Sequence, residues 1–439
     1  MPIKLHFIYS LLLIILSLAP CSADDSLILS QAIGKLITAV VIDGNEKTRN
    51  EVIQRELEFK QGELLSESSV QNSLRKLKNL RIFDDVFINY HPGPDDSVQV
   101  QVSVSDRWTI IPIAKAGGGG GSQYFTVGVY DVNSFGRHLE VGAQYQNINS
   151  KNGGVFWFRN PRLMGQRLLL GVDIWHFRLN QPFYADNGDL TGAYNNTKNR
   201  LHAFIKKQFS PWLFFGGGLD VVADEFDNTE LSDEQISANN ITGFLTPSNT
   251  KQNFIELNLQ LSELNYDKYV VDGVQLDVNG RFTSQTFFSE DNSAELTVKG
   301  TYFKKLAYQQ NIGINVVLGH TTSSLIQNQF YLGGLFEVRG YVDRRFQGSN
   351  YWRSNLEYRI PSYRSRWFVL QHVAFFDFGR IANSVRDLSN SNSDKFSSMG
   401  TGLRFISPKI YRFNARLDLA RTLGNDGNFD VSFGLQQFF

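Results

Sequence analysis

The sequence is poor in the residues on which disulfide-rich, thiol-dependent and metal-binding proteins rely. Its 439 residues include one cysteine, Cys21. One thiol allows no intrachain disulfide and no cysteine metal cluster. Lys plus Arg and Asp plus Glu both total 43, so no net charge draws the chain to nucleic acid, and no nucleic-acid partner is expected. After the N-terminal run LLLIILSLAP there is no second apolar stretch of about 18 residues, so a mature chain that enters a membrane must do so with strands. Enzyme signatures are missing too: no GxSxG elbow, no HExxH, no Walker lysine. The histidines, His320 and His372 among them, are scattered, and DEFDNTELSDE lacks the glycine of a calcium loop. No enzyme activity, cofactor or metal is expected. GGGGGS, Gly117 to Ser122, joins two strands without preceding a helix, which suits an outer hairpin rather than a phosphate loop. It also weakens that end of the strand before it.

Residues 1–23 read as a signal peptide, with Lys4 before the apolar run and CSA before Asp24. Cleavage after Ala23 would remove Cys21. Acylation of that cysteine is the alternative, and Pro20 stands where a small residue is expected. A short linker, 24–35, leads to a region of mixed periodicity over 36–107. ITAVVIDGN reads as a strand and turn. Thr48 with Glu51 suggests a capping box for a helix carrying Ile53 and Leu57. A second helix from about Ser66 aligns Val70, Leu74, Leu77 and Leu80. DDVFINY follows, and after a PGPDD turn SVQVQVSVS alternates Val98, Val100, Val102 and Val104 with polar residues. The order β-α-α-β-β describes a small α+β domain.

Residues 108–439 lose the helical period. About sixteen strand-like segments follow one another, at about twenty residues per strand and connection, the range of a membrane barrel. Loop lengths sort by parity. Short links at VNSFG, NPRLMGQ, SPW and PSYRSR alternate with long polar stretches such as LNQPFYADNGDLTGAYNNTKN and SVRDLSNSNSDK. A soluble β-sandwich, the alternative, has no reason to sort them so.

Within this region FEVRGYVDRR places Arg339 between Val338 and Gly340. A guanidinium keeps its proton and needs anionic or carbonyl partners inside a protein. In NYWRSNLEYRIP the polar face carries Asn355, Glu357 and Arg359. In FVLQHVAFFDFGR the apolar face turns Gln371 and Asp377 the other way. Glu357 and Asp377 therefore point into one interior, where Arg339 could pair with either and fix its loop. An inward arginine with carboxylates also fills plugged barrels that transport nothing.

Two stretches carry a family resemblance. IDGNEKTRNEVIQREL with LRKLKNLRIFDDVFI resembles a POTRA domain, the periplasmic module of Omp85 outer-membrane proteins; any small α+β domain is the alternative. LGGLFEVRGYVDRR resembles the Omp85 signature in which VRGY, Val338 to Tyr341, marks a long loop folded into the barrel. NLEYRIP and AFFDFGR resemble the strand motifs that receive its arginine. The terminal strand DVSFGLQQFF, ending at Phe439, resembles the sorting signal of bacterial outer-membrane barrels, although Gln437 interrupts the alternation. The resemblance implies a mainly β protein, a 16-stranded antiparallel transmembrane β-barrel after one POTRA domain, in the outer membrane.

Its implied role is assembly or translocation of other proteins. A lateral seam between the Trp108–Lys115 and Asp430–Phe439 strands, with Trp108, Ile110, Phe433 and Phe439 on it, would open to an incoming strand. SVQVQVSVS would serve as an edge for client pairing through Val98, Val100, Val102 and Val104. Expected partners are outer-membrane lipids, unfolded outer-membrane or secreted clients, periplasmic chaperones and a second copy in a homodimer. The alternatives are a two-partner secretion pore, whose family usually carries two POTRA domains and a plug helix for which 24–35 is too short, and a passive pore or structural barrel.

Overall fold

The structure is a computed structural model; it describes residues 28–439 apart from 268, 335, 391, 408–413, 424–426 and 436–439. The expected signal peptide and Phe439 lie outside these residues. The chain divides into two compact units between Arg107 and Trp108.

The first unit contains α1 (Leu29–Ala32), β1 (Ile37–Asp43), α2 (Asn50–Gln54), α3 (Glu67–Asn79), β2 (Phe83–Pro92) and β3 (Val98–Asp106). Helix α3 starts at Ser66, whose hydroxyl accepts the Ser69 amide, and it buries Val70, Ser73 and Leu77. Helix α2 starts later than the capping pattern suggests. The Thr48 hydroxyl donates to the Asp106 carboxylate and its amide lies 3.0 Å from the same group. A charged acceptor outcompetes the helix for that side chain, and Arg49 takes the cap position without a side-chain capping bond to the helix.

Strand order is β1-β3-β2, which corrects one expectation. SVQVQVSVS is the central strand of its sheet, parallel to β1 and antiparallel to β2. Its four valines, Val98, Val100, Val102 and Val104, are buried. A β2–β3 hairpin uses one side of the strand, and the helical crossover from β1 brings a parallel neighbour to the other. The free edges belong to β1 and β2.

The second unit closes on itself. Its strands are β4 (Ile110–Gly119), β5 (Ser122–Ser134), β6 (Leu139–Ile148), β7 (Lys151–Asn160), β8 (Leu168–Tyr184), β9 (Leu190–Ser210), β10 (Leu213–Asp227), β11 (Thr250–Asp267), β12 (Val270–Thr283), β13 (Ser293–Lys305) and β14 (Asn311–Thr321). A short hairpin, β15 (Phe330–Leu332) with β16 (Phe346–Gly348), stands apart as its own sheet. The barrel resumes with β17 (Asn350–Arg364), β18 (Val369–Ala382), β19 (Asp394–Ile406), β20 (Asn414–Thr422) and β21 (Phe429–Gly434). Among the described residues sixteen strands form the closed ring, each beside its sequence neighbour, with β14 joined to β17 and β21 to β4. Closure satisfies backbone groups that an open edge would leave bare in hydrocarbon.

Side chains alternate across the wall as a membrane barrel requires. Phe125, Val127 and Val129 on β5, and Leu417 and Leu419 on β20, face outward, while Asp377, Gln371, Arg404 and Asp418 are buried inward. The stretch LNQPFYADNGDLTGAYNNTKN is mostly strand rather than loop: β8 and β9 stay paired from Asn180↔Asn195 to Tyr184↔Leu190. Polar side chains do not prevent pairing beyond the apolar belt, because the ladder is made by the backbone.

Candidate functional site: an anchored hook and a thin seam

Between β14 and β17 the chain folds back as a hook built on the β15–β16 hairpin. Val338, Tyr341, Phe346 and Leu332 pack with Val317, Tyr351, Ile381 and Phe396 of the wall. The Tyr341 hydroxyl donates to the Ser397 carbonyl at 3.0 Å and accepts the Ser397 amide at 3.1 Å. Gly340 has φ +90, and a Cβ there would lie 3.3 Å from both Ala420 and Thr422 side chains. Only glycine takes this turn without strain so close to the wall.

Arg339 pairs with both expected partners at once. Its Nε and Nη2 each donate to Asp377 at 2.7 Å, its Nη1 donates to Glu357 Oε1 at 2.6 Å, and its backbone amide reaches Asp377 at 3.2 Å. The guanidinium carbon sits 3.6 Å from the centre of the Phe375 ring. The neighbouring strands extend the network. Arg404 bridges Glu357 at 3.1 Å and Asp418 at 2.6 Å, Arg359 holds the other oxygen of Glu357 at 2.7 Å, and Arg416 lies 3.5 Å from Asp418. Sequence reasoning placed Glu357, Arg359 and Asp377 and missed Arg404, Arg416 and Asp418. The alternations GLRFI and ARLDLA carry the signal that would have found these three.

Seven buried charges in contact cost desolvation, which only mutual pairing offsets. The arrangement is an anchor: Glu357 and Asp418 are each shared by arginines of the hook and of the wall strands, and Asp377 holds Arg339 with both oxygens, so removing one group unbalances several.

The same hook touches the seam. The Asp343 amide donates to the Gly120 carbonyl at 2.8 Å, Ser122 Oγ donates to the Asp343 carboxylate at 3.1 Å, and the Gly120 amide donates to Asp430 at 3.0 Å. Gly120 has φ +58, and a Cβ there would stand 2.5 Å from the Tyr341 carbonyl. A cavity of about 740 Å³ opens beside this contact, lined by Gly119, Gly120, Asp343 and Asp430 among others.

Among the described residues β21 and β4 pair at Phe433↔Gly118 and Gly434↔Gly117, with a further bond from the Leu435 amide to the Ala116 carbonyl at 3.0 Å. By contrast β8 and β9 pair along their whole length. Phe433 therefore lies on the seam as expected. For Trp108 and Ile110 the described residues give no seam pair: Ile110 pairs with Asp131 of β5 on its other side, and Trp108 precedes β4 and bonds through its indole to the Ile110 carbonyl at 2.6 Å. Both sit at the opposite end of β4 from the paired glycines. Among the described residues the junction is made at the glycine run.

A second charge network lines β7 to β13. Arg159 meets Asp173 at 2.6 Å, Arg200 and Arg281 share Asp220 at 2.6 and 2.8 Å, and Arg281 reaches Glu295 at 3.1 Å.

A closed barrel of sixteen strands with an inward arginine hook and a preceding β-α-α-β-β unit defines a class of outer-membrane barrel. Residues 133–439 match the Omp85 superfamily domain, and residues 36–107 match the POTRA family described as the surface antigen variable number repeat. The chain belongs to the Omp85 superfamily. Its place is the outer membrane, with the POTRA domain on the periplasmic side. Over 437 residues it is 23% identical to the outer membrane protein assembly factor BamA of Nitratidesulfovibrio vulgaris, covering 92% of this chain and 51% of that protein. To BamA of Neorickettsia risticii it is 26% identical over 176 residues, 38% of this chain and 24% of that one. The chain thus spans about half the length, or less, of these relatives. Its fold resembles BamA from Haemophilus ducreyi lacking POTRA domains 1–3 (TM-score 0.69, 15% identity, 91% of this chain and 84% of that one). It also resembles CdiB from Acinetobacter baumannii (TM-score 0.65, 14% identity, 92% and 74%).

Proposed function

We propose that this protein helps client proteins insert into or cross the outer membrane, with the β4–β21 seam as the site where an incoming strand pairs. The observation that carries this reading is the shortness of the seam. Among the described residues few backbone bonds hold it, whereas every other junction of the ring is a longer ladder, so opening there exposes two strand edges at the least cost. The relatives named as assembly factors support the same reading. The role is non-catalytic.

Clients, free or carried by a periplasmic chaperone, would first add to an edge of the POTRA sheet. That edge is β1 or β2, where Phe87 is 59% exposed, and not the enclosed β3. Strand addition needs unpaired N–H and C=O groups, which only an outer strand offers.

The test is a cysteine pair at Gly118 and Phe433, residues that already face each other across the seam. In proteoliposomes containing the full chain, oxidation should stop client insertion and a reductant should restore it. Equal insertion in both states would refute gating at this junction. Transport of one secreted partner, with no barrel insertion, would instead favour the export reading.

A further inference from the structure

At the periplasmic end of the wall, two neighbouring turns gather basic and aromatic side chains at the rim; Lys304 lies on the outward face opposite Ile312, while Lys305 and Arg364, opposite the buried Asn311 and Val369, lie on the inward face. The β13–β14 turn contributes Lys304, Lys305 and Tyr308, and the β17–β18 turn contributes Arg364, Arg366 and Trp367. The turns touch: Arg364 Nη2 donates to the Tyr308 carbonyl at 2.5 Å. Tyr308 is 84% and Trp367 66% exposed, and the four basic residues are exposed as well. Asp272 lies 3.7 Å from Lys304, with both side chains about half accessible, a distance at which the pair is weak in water.

The patch continues into the apolar belt. A register shift between Pro361 and Tyr363 turns Tyr363 outward opposite Leu370. Its ring then contacts Phe368 (5.4 Å), which stacks on Phe405 (4.6 Å). Cations at the rim with rings one step deeper match the vertical order of a phospholipid, phosphate outside and glycerol and acyl chains within. The opposite end of the barrel carries the other sign: Asp186, Asp189, Glu230, Asp233, Glu234 and Glu290 occupy its loops.

We propose that this patch binds anionic phospholipid of the periplasmic leaflet, its headgroup phosphate held by Lys304 and Arg366 and its acyl chains laid along Tyr363, Phe368 and Phe405. An acidic polypeptide would satisfy the cations but not the rings behind them, which face the hydrocarbon. The position beside β14–β17, on the strands that anchor the hook, makes lipid occupancy at this wall independent of the seam.

The test uses the full chain in nanodiscs of equal parts phosphatidylcholine and phosphatidylglycerol, followed by native mass spectrometry. The wild type should retain phosphatidylglycerol selectively. The combined variant Lys304→Gln, Arg366→Gln should lose that retention about tenfold or more, since each basic residue near a membrane surface contributes attraction. Unchanged selectivity in a variant that still shows heat-dependent mobility would overturn the proposal. A photoreactive residue replacing Tyr308 in the otherwise native chain gives a second readout that does not depend on that variant folding. Crosslinks to phospholipid support the assignment, while crosslinks to polypeptide alone, or none, overturn it.

Discussion

Arg339 and Arg281 both join two barrel-strand carboxylates, yet their surroundings differ. The Arg339 side chain and its partners Glu357 and Asp377 are wholly inaccessible, whereas Arg281 and Glu295 each keep 21% of their side-chain surface. The hook packs directly over the β17–β20 network, whereas on the β7–β13 wall, which it touches at Thr250, Gln252 and Gln181, the Arg281–Glu295 pair keeps access to water although Asp220 is itself inaccessible. Identical chemistry thus serves as an anchor on one side and as a wetted lining on the other. An uncovered pair can trade protein contacts for water, but a covered one cannot.

The largest effect is expected for Arg339→Ala, which would leave Glu357 and Asp377 buried beside one fewer cation. Breaking a buried pair by removing one partner costs about 3–5 kcal/mol, so the folded barrel should unfold at markedly lower urea in detergent. Arg339→Lys should recover only part of this, because an ammonium cannot bond both oxygens of Asp377 while reaching Glu357. If Arg339→Ala unfolds no more easily than Arg281→Gln, covering the wall does not matter.

A much smaller change is expected from Glu295→Gln on the open wall, about 0–1 kcal/mol, the range for solvent-screened pairs. The same urea titration checks it, and a loss comparable to that of Arg339→Ala would erase the contrast between the walls.

The smallest effect concerns a surface pair of the POTRA unit. Lys76 and Asn72 hydrogen-bond to Glu58 and hold its carboxyl below the ordinary value of 4.5. A depressed carboxyl stabilises the fold above its unfolded pKa, and that contribution disappears as pH falls through the folded value. Amide-exchange protection over 36–107 should therefore differ slightly between wild type and Glu58→Gln near neutral pH, and converge once the pH has fallen below the lowered Glu58 value. A difference that persisted there would mean the pair acts through packing.

Much of this was legible along the chain. Alternation identified the barrel strands and turned Glu357, Arg359 and Asp377 inward, because a period of two reports which face a side chain occupies. The same signal could not say whether SVQVQVSVS was an edge, since edges depend on which strands lie alongside. Nor could polar composition separate the β8–β9 extension from a loop. Arg404 and Asp418 escaped notice because each looks like one more inward polar residue until the strands beside it are in register.

The order of residues alone determined the periodicity that separates the first unit from the barrel, the inward carboxylates, and the glycine run at the end of β4. Only the tertiary structure decided that Arg339 grips two carboxylates together, that its hook also touches Gly120 at the seam, and that the valine strand is enclosed. The physical reason is that local pattern governs the direction of each side chain, whereas charge neutralisation and edge exposure depend on neighbours distant in the chain, which exist only once the ring has closed.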